Sequence, residues 1–217
     1  MAVKLSQTSK MPCKSWSLQA LKTCPGSVKP GGELVDACQG CYATDGFYNM
    51  SPAKKAREFN LHDWEREEWA PEMIEAIGLD PYFRWLDSGD LYSISLAWKV
   101  ADVIKNTPAT EHWLPTRMGK FSKFNRVLRF IADLPNGNVR HSSDSINGGT
   151  VDYGYGTSST IIKSIDDAQL SQFTCEAYTR GGKCGDCRAC WSKKIPIVAY
   201  PAHGPKMGRV IKLRVAA

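Results

Sequence analysis

Hydrophobic positions change their period repeatedly along the chain. A short apolar run, Tyr82-Phe83-Arg84-Trp85-Leu86, gives way to the polar Asp87-Ser88-Gly89-Asp90 and then to a helical pattern from Tyr92 to Asn106. The theme recurs. Glu111-His112-Trp113-Leu114 reads as a strand, Pro115-Thr116-Arg117 as a turn, and Lys120 to Asp133 as a helix. A third run, Asn138 to His141, leads into the polar Ser142-Ser143-Asp144-Ser145. Strands alternating with helices predict successive βα units, hence an α/β fold with a parallel sheet or a partial (β/α) barrel. The polar residues collect at the C-terminal ends of the strands, the rim on which such folds build sites.

Upstream of this series, Ser51-Pro52 is a helix-start signal, and a helix is expected from about Pro52 to Asn60. A second is expected from about His62 to Ile77, with Trp69, Met73 and Ile77 on one stripe, Pro71 as a break or kink, and Gly78 as the stop. Downstream, Gly148 to Gly156 reads as a loop that matches no phosphate-binding fingerprint. Thr160 to Lys163 reads as a further strand, and Ile195 to Tyr200 and Arg209 to Val215 as closing strands. No repeat or linker divides the chain, so one domain over 1–217 is expected. It has a first cysteine loop in 1–50, the βα series in 51–165, and a second cysteine loop with closing strands in 166–217.

The composition is ordinary for a globular chain: 217 residues, 42% hydrophobic and 23% charged. A chain of this size buries a core without covalent staples. No apolar run reaches the roughly 20 residues of a membrane span, and the first ten residues lack a signal-peptide core. A cytoplasmic protein with no membrane partner is therefore expected. The formal charge of +6 permits contact with nucleic acid or an anionic small molecule without demanding it.

The cysteines change the picture. They form two groups: Cys13, Cys24, Cys38 and Cys41, then Cys175, Cys184, Cys187 and Cys190. In a reducing compartment an even count reads first as metal ligation. Cys38-Gln-Gly-Cys41 and Cys184-Gly-Asp-Cys187-Arg-Ala-Cys190 space thiols two residues apart, and Gly40 and Gly185 help such turns form. C-x2-C-x2-C begins like a ferredoxin run. Cys175, nine positions upstream, supplies a fourth thiol for an iron–sulfur cube. Zinc competes, but the middle cysteine is surplus in a single knuckle; disulfides or free thiols are the remaining alternative. Cys24 and the Cys38–Cys41 pair lie in a loop punctuated by Pro25-Gly26 and Pro30-Gly31-Gly32. Cys13 stands apart and reads as a small buried hydrophobe rather than a ligand.

Cys24-x13-Cys38-x2-Cys41-Tyr42-Ala43 ahead of a βα series resembles the cluster loop of radical S-adenosylmethionine enzymes, with a widened first gap. From about Ser9 to Trp191 the chain is still more similar to the bacteriophage gene-product-eighty-eight family. It shares the Cys-Pro-Gly and Cys-x2-Cys-Tyr-Ala loop, a strand ending in Gly-Asp, and a C-x2-C-x2-C-Trp run. That likeness places the protein in a host cytoplasm. The radical-enzyme resemblance implies one or two 4Fe-4S clusters. Cys24, Cys38 and Cys41 would leave one iron open to S-adenosylmethionine, and the second group would hold an auxiliary cluster. It also implies cofactor contacts from the Asp87-Ser88-Gly89-Asp90 turn, with Asp90 on the methionine amino group, and from Arg117 and Ser142 to Asp144 on carboxylate or ribose. The family's usual Gly-Gly-Glu-Pro turn is replaced here by Ser-Gly-Asp.

Three functions follow as alternatives. One is a compact radical enzyme with an electron donor and an unidentified substrate. Another is a non-enzymatic iron–sulfur protein for electron transfer or structure. The third is a zinc module that binds nucleic acid, which has no need of a βα scaffold.

Overall fold

The computed structural model describes residues 3–215. One eight-stranded sheet runs through it, built from β1 (Ser6–Gln7), β2 (Lys14–Trp16), β3 (Tyr82–Trp85), β4 (Glu111–Thr116), β5 (Gly137–Ser142), β6 (Thr157–Ile162), β7 (Phe173–Thr174) and β8 (Ile197–Pro201). The spatial order is β1-β2-β3-β4-β5-β6-β8-β7, and every pair except β1–β2 is parallel. From β2 to β6 neighbours in space are neighbours in sequence. Right-handed crossovers that all step the same way carry their helices to one face.

That face holds α3 (Trp69–Ile77), α4 (Ile94–Lys105) and α5 (Ser122–Asp133), with α3 against α4 and α4 against α5. Their apolar stripes meet Trp16, Phe83, Trp85, Leu114 and Val139 in the main core. Trp16 packs edge-on against Trp69 and Trp85 with ring centroids 5.3 and 6.2 Å away. His112 is a satisfied core histidine. It accepts a hydrogen bond from Trp85 Nε1 at 3.1 Å and meets Thr107 Oγ1 at 2.8 Å, and burial pushes its pKa down to about 3.

The expected helix over 62–77 is two structures. α2 (Ser51–Asp63) ends in a turn, and α3 starts afresh at Trp69. Pro71 sits in the first turn of α3, where no intrahelical N–H bond is lost, so it opens that helix rather than kinking it. The strand expected at Arg209–Val215 is instead part of α6 (Pro205–Val215). Met207, Val210 and Ile211 fall on one helical face and pack on Ala37 and Ile146.

The opposite face of the sheet carries Tyr82, Arg84, Trp113, Asn138 and Arg140, alternating with the core residues as strand geometry requires. The second cysteine segment covers it, with Trp191 wedged between Tyr82 and Trp113. Among the described residues no helix is long and apolar enough to cross a membrane.

Gly89 is the tightest point of the β3 rim. Its φ is +79°, and a Cβ there would lie 2.6 Å from Leu18 Cβ and 2.7 Å from Thr23 Oγ1. Gly89→Ala is expected to lower unfolding free energy by ~1–3 kcal/mol, measured by urea denaturation. An unchanged midpoint would show that the turn relaxes freely.

Candidate metal centres and the cleft beside them

The first cysteine loop leaves the end of β2 and is fastened to the ends of β3, β4 and β5. Leu18 N–H donates to Ser88 O at 3.0 Å, Ser88 Oγ to Leu18 O at 2.6 Å, and Asp90 N–H to Thr23 O at 3.1 Å. Lys120 Nζ donates to Gly26 O at 2.7 Å, and Ala37 N–H to Asp144 O at 2.9 Å. Cys38 lies on α1 (Asp36–Gln39). Gly40, between Cys38 and Cys41, has an ordinary φ of −101°. It is needed for room, since a Cβ would lie 2.7 Å from Met207 Cα on α6.

Cys24, Cys38 and Cys41 lie on this loop at the rim. Cys24 feels Cys38 and Cys41 electrostatically and Cys38 feels Cys41, and burial raises all three thiols, Cys24 to about 12. Arg117 pulls Cys38 and Cys41 back down, and Lys206 does so for Cys41.

The expected cofactor residues divide. Asp90 is buried and both its oxygens are engaged: Oδ1 accepts from Leu91 N–H at 2.7 Å and Thr116 Oγ1 at 2.6 Å, and Oδ2 from Arg117 N–H at 2.9 Å. It splices the β3 and β4 ends together with three accepted hydrogen bonds, two on Oδ1 and one on Oδ2. Arg117 straps β4 to β5, donating to Ser143 O at 3.0 Å with Nε 3.5 Å from Asp144. Asp87 differs. Tyr48 hydroxyl donates to its Oδ2 at 3.1 Å, while its Oδ1 is buried without a partner. Close by on β3, Arg84 Nη2 donates to Tyr42 hydroxyl at 3.3 Å, and Tyr42 hydroxyl donates to Asp87 O at 2.6 Å. Arg84 Nε is also buried without a partner. An orphan acceptor and an orphan donor thus stand next to Tyr42, the residue that follows Cys41.

The second group gathers on the inner sheet face. Cys175 N–H donates to Ala199 O at 2.8 Å, Cys184 N–H to Lys10 O at 2.9 Å, and Cys187 N–H to Cys184 O at 3.1 Å. Cys190 Sγ lies 3.1 Å from Tyr200 hydroxyl, and burial pushes its thiol up to about 11. Cys175 and Cys187 act electrostatically on Cys184. Cys13 is buried, as expected, but it packs with Trp113, Trp191, Cys184 and Cys190, so the second group has a fifth thiol at its edge. The sign in the sequence was the count itself: Cys13 belongs by number to the first group and by fold to the second.

Four cations surround these thiols, and among the described residues none of them is in an ion pair with a carboxylate. Lys10 lies 4.6 Å over Tyr178, Arg84 4.3 Å over Trp113 and Arg188 4.9 Å over Tyr82. Arg140 is fully buried, and its guanidinium donates only to carbonyls, those of Ser158, Ala189, Cys190, Ser192 and Ile195. Sequence reading passed over Arg84 and Arg140, although a charge in the middle of an apolar strand is a visible signal.

The two cysteine groups share a wall, because Tyr42 stacks on His203 and His203 lies 4.0 Å from Tyr178. Among the described residues no three His, Cys, Asp or Glu side chains converge closely enough to hold a single metal ion.

The sequence profile of the gene product 88 family matches residues 2–193. The chain belongs to that family. The match spans both cysteine groups, the Asp87–Asp90 turn and the strands that carry Arg84 and Arg140, so the architecture above lies almost wholly inside the family region. Neither the comparison with curated proteins nor that with solved structures gives a match.

Proposed function

We propose that this gene product 88 protein is an iron–sulfur protein with two thiolate centres, and that the first works as a compact radical S-adenosylmethionine-type site. One observation carries the reading. Three thiols sit on a loop fastened to the ends of parallel strands, and Tyr42, which follows Cys41 in that loop, bonds to Arg84 and to the backbone of Asp87, residues that keep an unpartnered N–H and an unpartnered carboxylate oxygen.

The cysteine spacing supports an iron–sulfur cube over zinc, because the middle cysteine of a C-x2-C-x2-C run is surplus in a single zinc knuckle. A cube takes one thiolate per iron. The sequential parallel order from β2 to β6 is also how a partial barrel winds, with its site at the C-terminal rim. When an iron–sulfur cluster and S-adenosylmethionine are both bound, the chemistry supplied is one-electron cleavage of the sulfonium to a 5′-deoxyadenosyl radical.

The residues of the chain do the rest. Asp87 Oδ1 would hold the ammonium of the amino-acid end and Arg84 its carboxylate, with Tyr42 linking the two residues through its hydroxyl. Asp90 keeps the rim in shape. Around the second group, Lys10, Arg84, Arg140 and Arg188 offset the negative charge of metal-bound thiolates. That arrangement favours a closed auxiliary or structural centre there, and it also supports the non-enzymatic electron-transfer reading as the alternative.

Anaerobically purified protein is expected to be brown, with iron and sulfide in near-equal amounts. Colourless protein with zinc and no sulfide would refute the iron–sulfur reading. Adding S-adenosylmethionine to the reduced protein should perturb its electron paramagnetic resonance spectrum. Asp87→Asn should weaken that binding about tenfold or more, because it removes a charge-assisted hydrogen bond worth ~1.5–3 kcal/mol. A loaded first centre with no spectral response would leave the electron-transfer or structural reading.

A further inference from the structure

Beside the first cysteine loop lies a pocket of about 100 Å³ with an unusual charge pattern. Its walls come from Gln19 and Ala20 after β2, from Ala43, Thr44, Tyr48 and Asn49 after Cys41, and from Lys54 and Arg57 on α2. No aspartate or glutamate lines it. Lys54 and Arg57 are three apart on one helix, so they are neighbours of like charge, an arrangement that destabilises a helix when nothing offsets it. Among the described residues neither is in an ion pair with a carboxylate. Arg57 is also only 9% exposed. Its guanidinium donates to Tyr48 O at 2.9 Å and lies 4.7 Å over the Tyr48 ring, and Arg57 is one of the residues that line the pocket.

The Arg57 guanidinium has a neutral carbonyl and a ring face as its partners and no carboxylate among the described residues. A second cation and the amide of Gln19 border the same space. The volume is several times what one water requires, enough for a tetrahedral oxyanion.

We infer that this pocket binds a phosphoryl group, with Arg57 and Lys54 as its charge partners. Arginine suits that role because its planar fork matches phosphate oxygens. Tyr48 touches both this pocket and the proposed cofactor residue Asp87, through its ring toward Arg57 and its hydroxyl on Asp87. A phosphorylated ligand held here would extend toward the first centre. The inference needs no cluster, so it stands or falls separately from the iron–sulfur reading.

The test is titration of the purified full chain with inorganic phosphate and, separately, with glycerol 3-phosphate, followed by calorimetry and phosphorus resonance. Iron content is assayed on the same samples. Saturable binding is expected, and it should weaken as salt rises. Lys54→Met and Arg57→Met should each weaken it about tenfold, and Arg57→Lys should weaken it less than Arg57→Met. Binding of both probes marks a site for a phosphorylated substrate, and binding of inorganic phosphate alone marks a site for the free ion. Lys54 is exposed, so Lys54→Met keeps the test decisive if Arg57→Met fails to fold. No saturable binding to folded protein, or binding that is unchanged in Lys54→Met and in every folded Arg57 variant, overturns the proposal.

Discussion

Arg140→Met is expected to cost ~3–5 kcal/mol of unfolding free energy, the range for removing one partner from a buried charge network. The argument is geometric. Arg140 projects from β5 and ties the carbonyls of Ala189, Cys190, Ser192 and Ile195 to that of Ser158 on β6. Methionine has similar length and no donors, so these carbonyls lose their common partner inside the protein. Asn138 can still donate to Cys190 O at 3.0 Å and reach Ser192 O at 3.4 Å, which limits the damage but cannot replace a planar fork. Lysine should rescue little, because a single ammonium cannot reach carbonyls on both sides. Urea unfolding reads the loss directly, and metal analysis reads whether the second cysteine segment still closes. A loss below about 1 kcal/mol would place Arg140 among ordinary surface-like contributions and remove it as the organiser of that segment.

This prediction also shows where sequence reasoning reached and where it stopped. β3, β4, β5, α4 and α5 were legible because each has a clear period and a polar stop. β2 was not, because Lys14-Ser15-Trp16 has only three residues and no alternation long enough to register. Yet β2 delivers the cysteine loop to the rim, so its omission hid how that loop is attached. The 62–77 segment misled because the Trp69, Met73 and Ile77 stripe is genuine, while the residues before it only share its composition. The Arg209–Val215 segment is helical because Met207, Val210 and Ile211 recur at the helical period and pack on Ala37 and Ile146, although its alternating apolar and basic residues also suit a strand.

The site was half legible. Cysteine spacing marked both groups, and the Asp87-Ser88-Gly89-Asp90 turn lies beside the first. The sequence could not tell Asp87 from Asp90, since the distinction depends on Thr116 and Arg117 arriving from another strand to occupy Asp90. Cys13 was separated from its partners by more than 160 residues, and only a closed sheet-and-loop packing brings it to Cys184 and Cys190.

The two cysteine groups should respond differently to the same substitution, and that difference tests the whole assignment. Cys190 is packed behind Trp113 and Trp191, with Tyr200 on its sulfur and Arg140 on its carbonyl. If it binds metal, the free energy of metal binding is part of the folding free energy of the segment that covers the inner sheet face. Cys190→Ala should therefore remove about half the iron of a two-centre protein and also lower stability by several kcal/mol, seen as a large fall in melting temperature. Cys41 lies at the rim in a loop held by independent bonds, among them Lys120 to Gly26 and Ser88 to Leu18. Cys41→Ala should remove the other half of the iron while leaving the melting temperature nearly intact, and should abolish the spectral response to S-adenosylmethionine. Cys13→Ala should leave the iron unchanged if Cys175, Cys184, Cys187 and Cys190 complete the second centre. Its stability cost should then be only that of a small buried side chain, about 1 kcal/mol. Iron lost from Cys13→Ala but retained in Cys175→Ala would move the fourth thiol from the C-terminal segment to the start of β2. Loss of all the iron from both Cys41→Ala and Cys190→Ala, in protein that remains folded, would argue for a single shared centre.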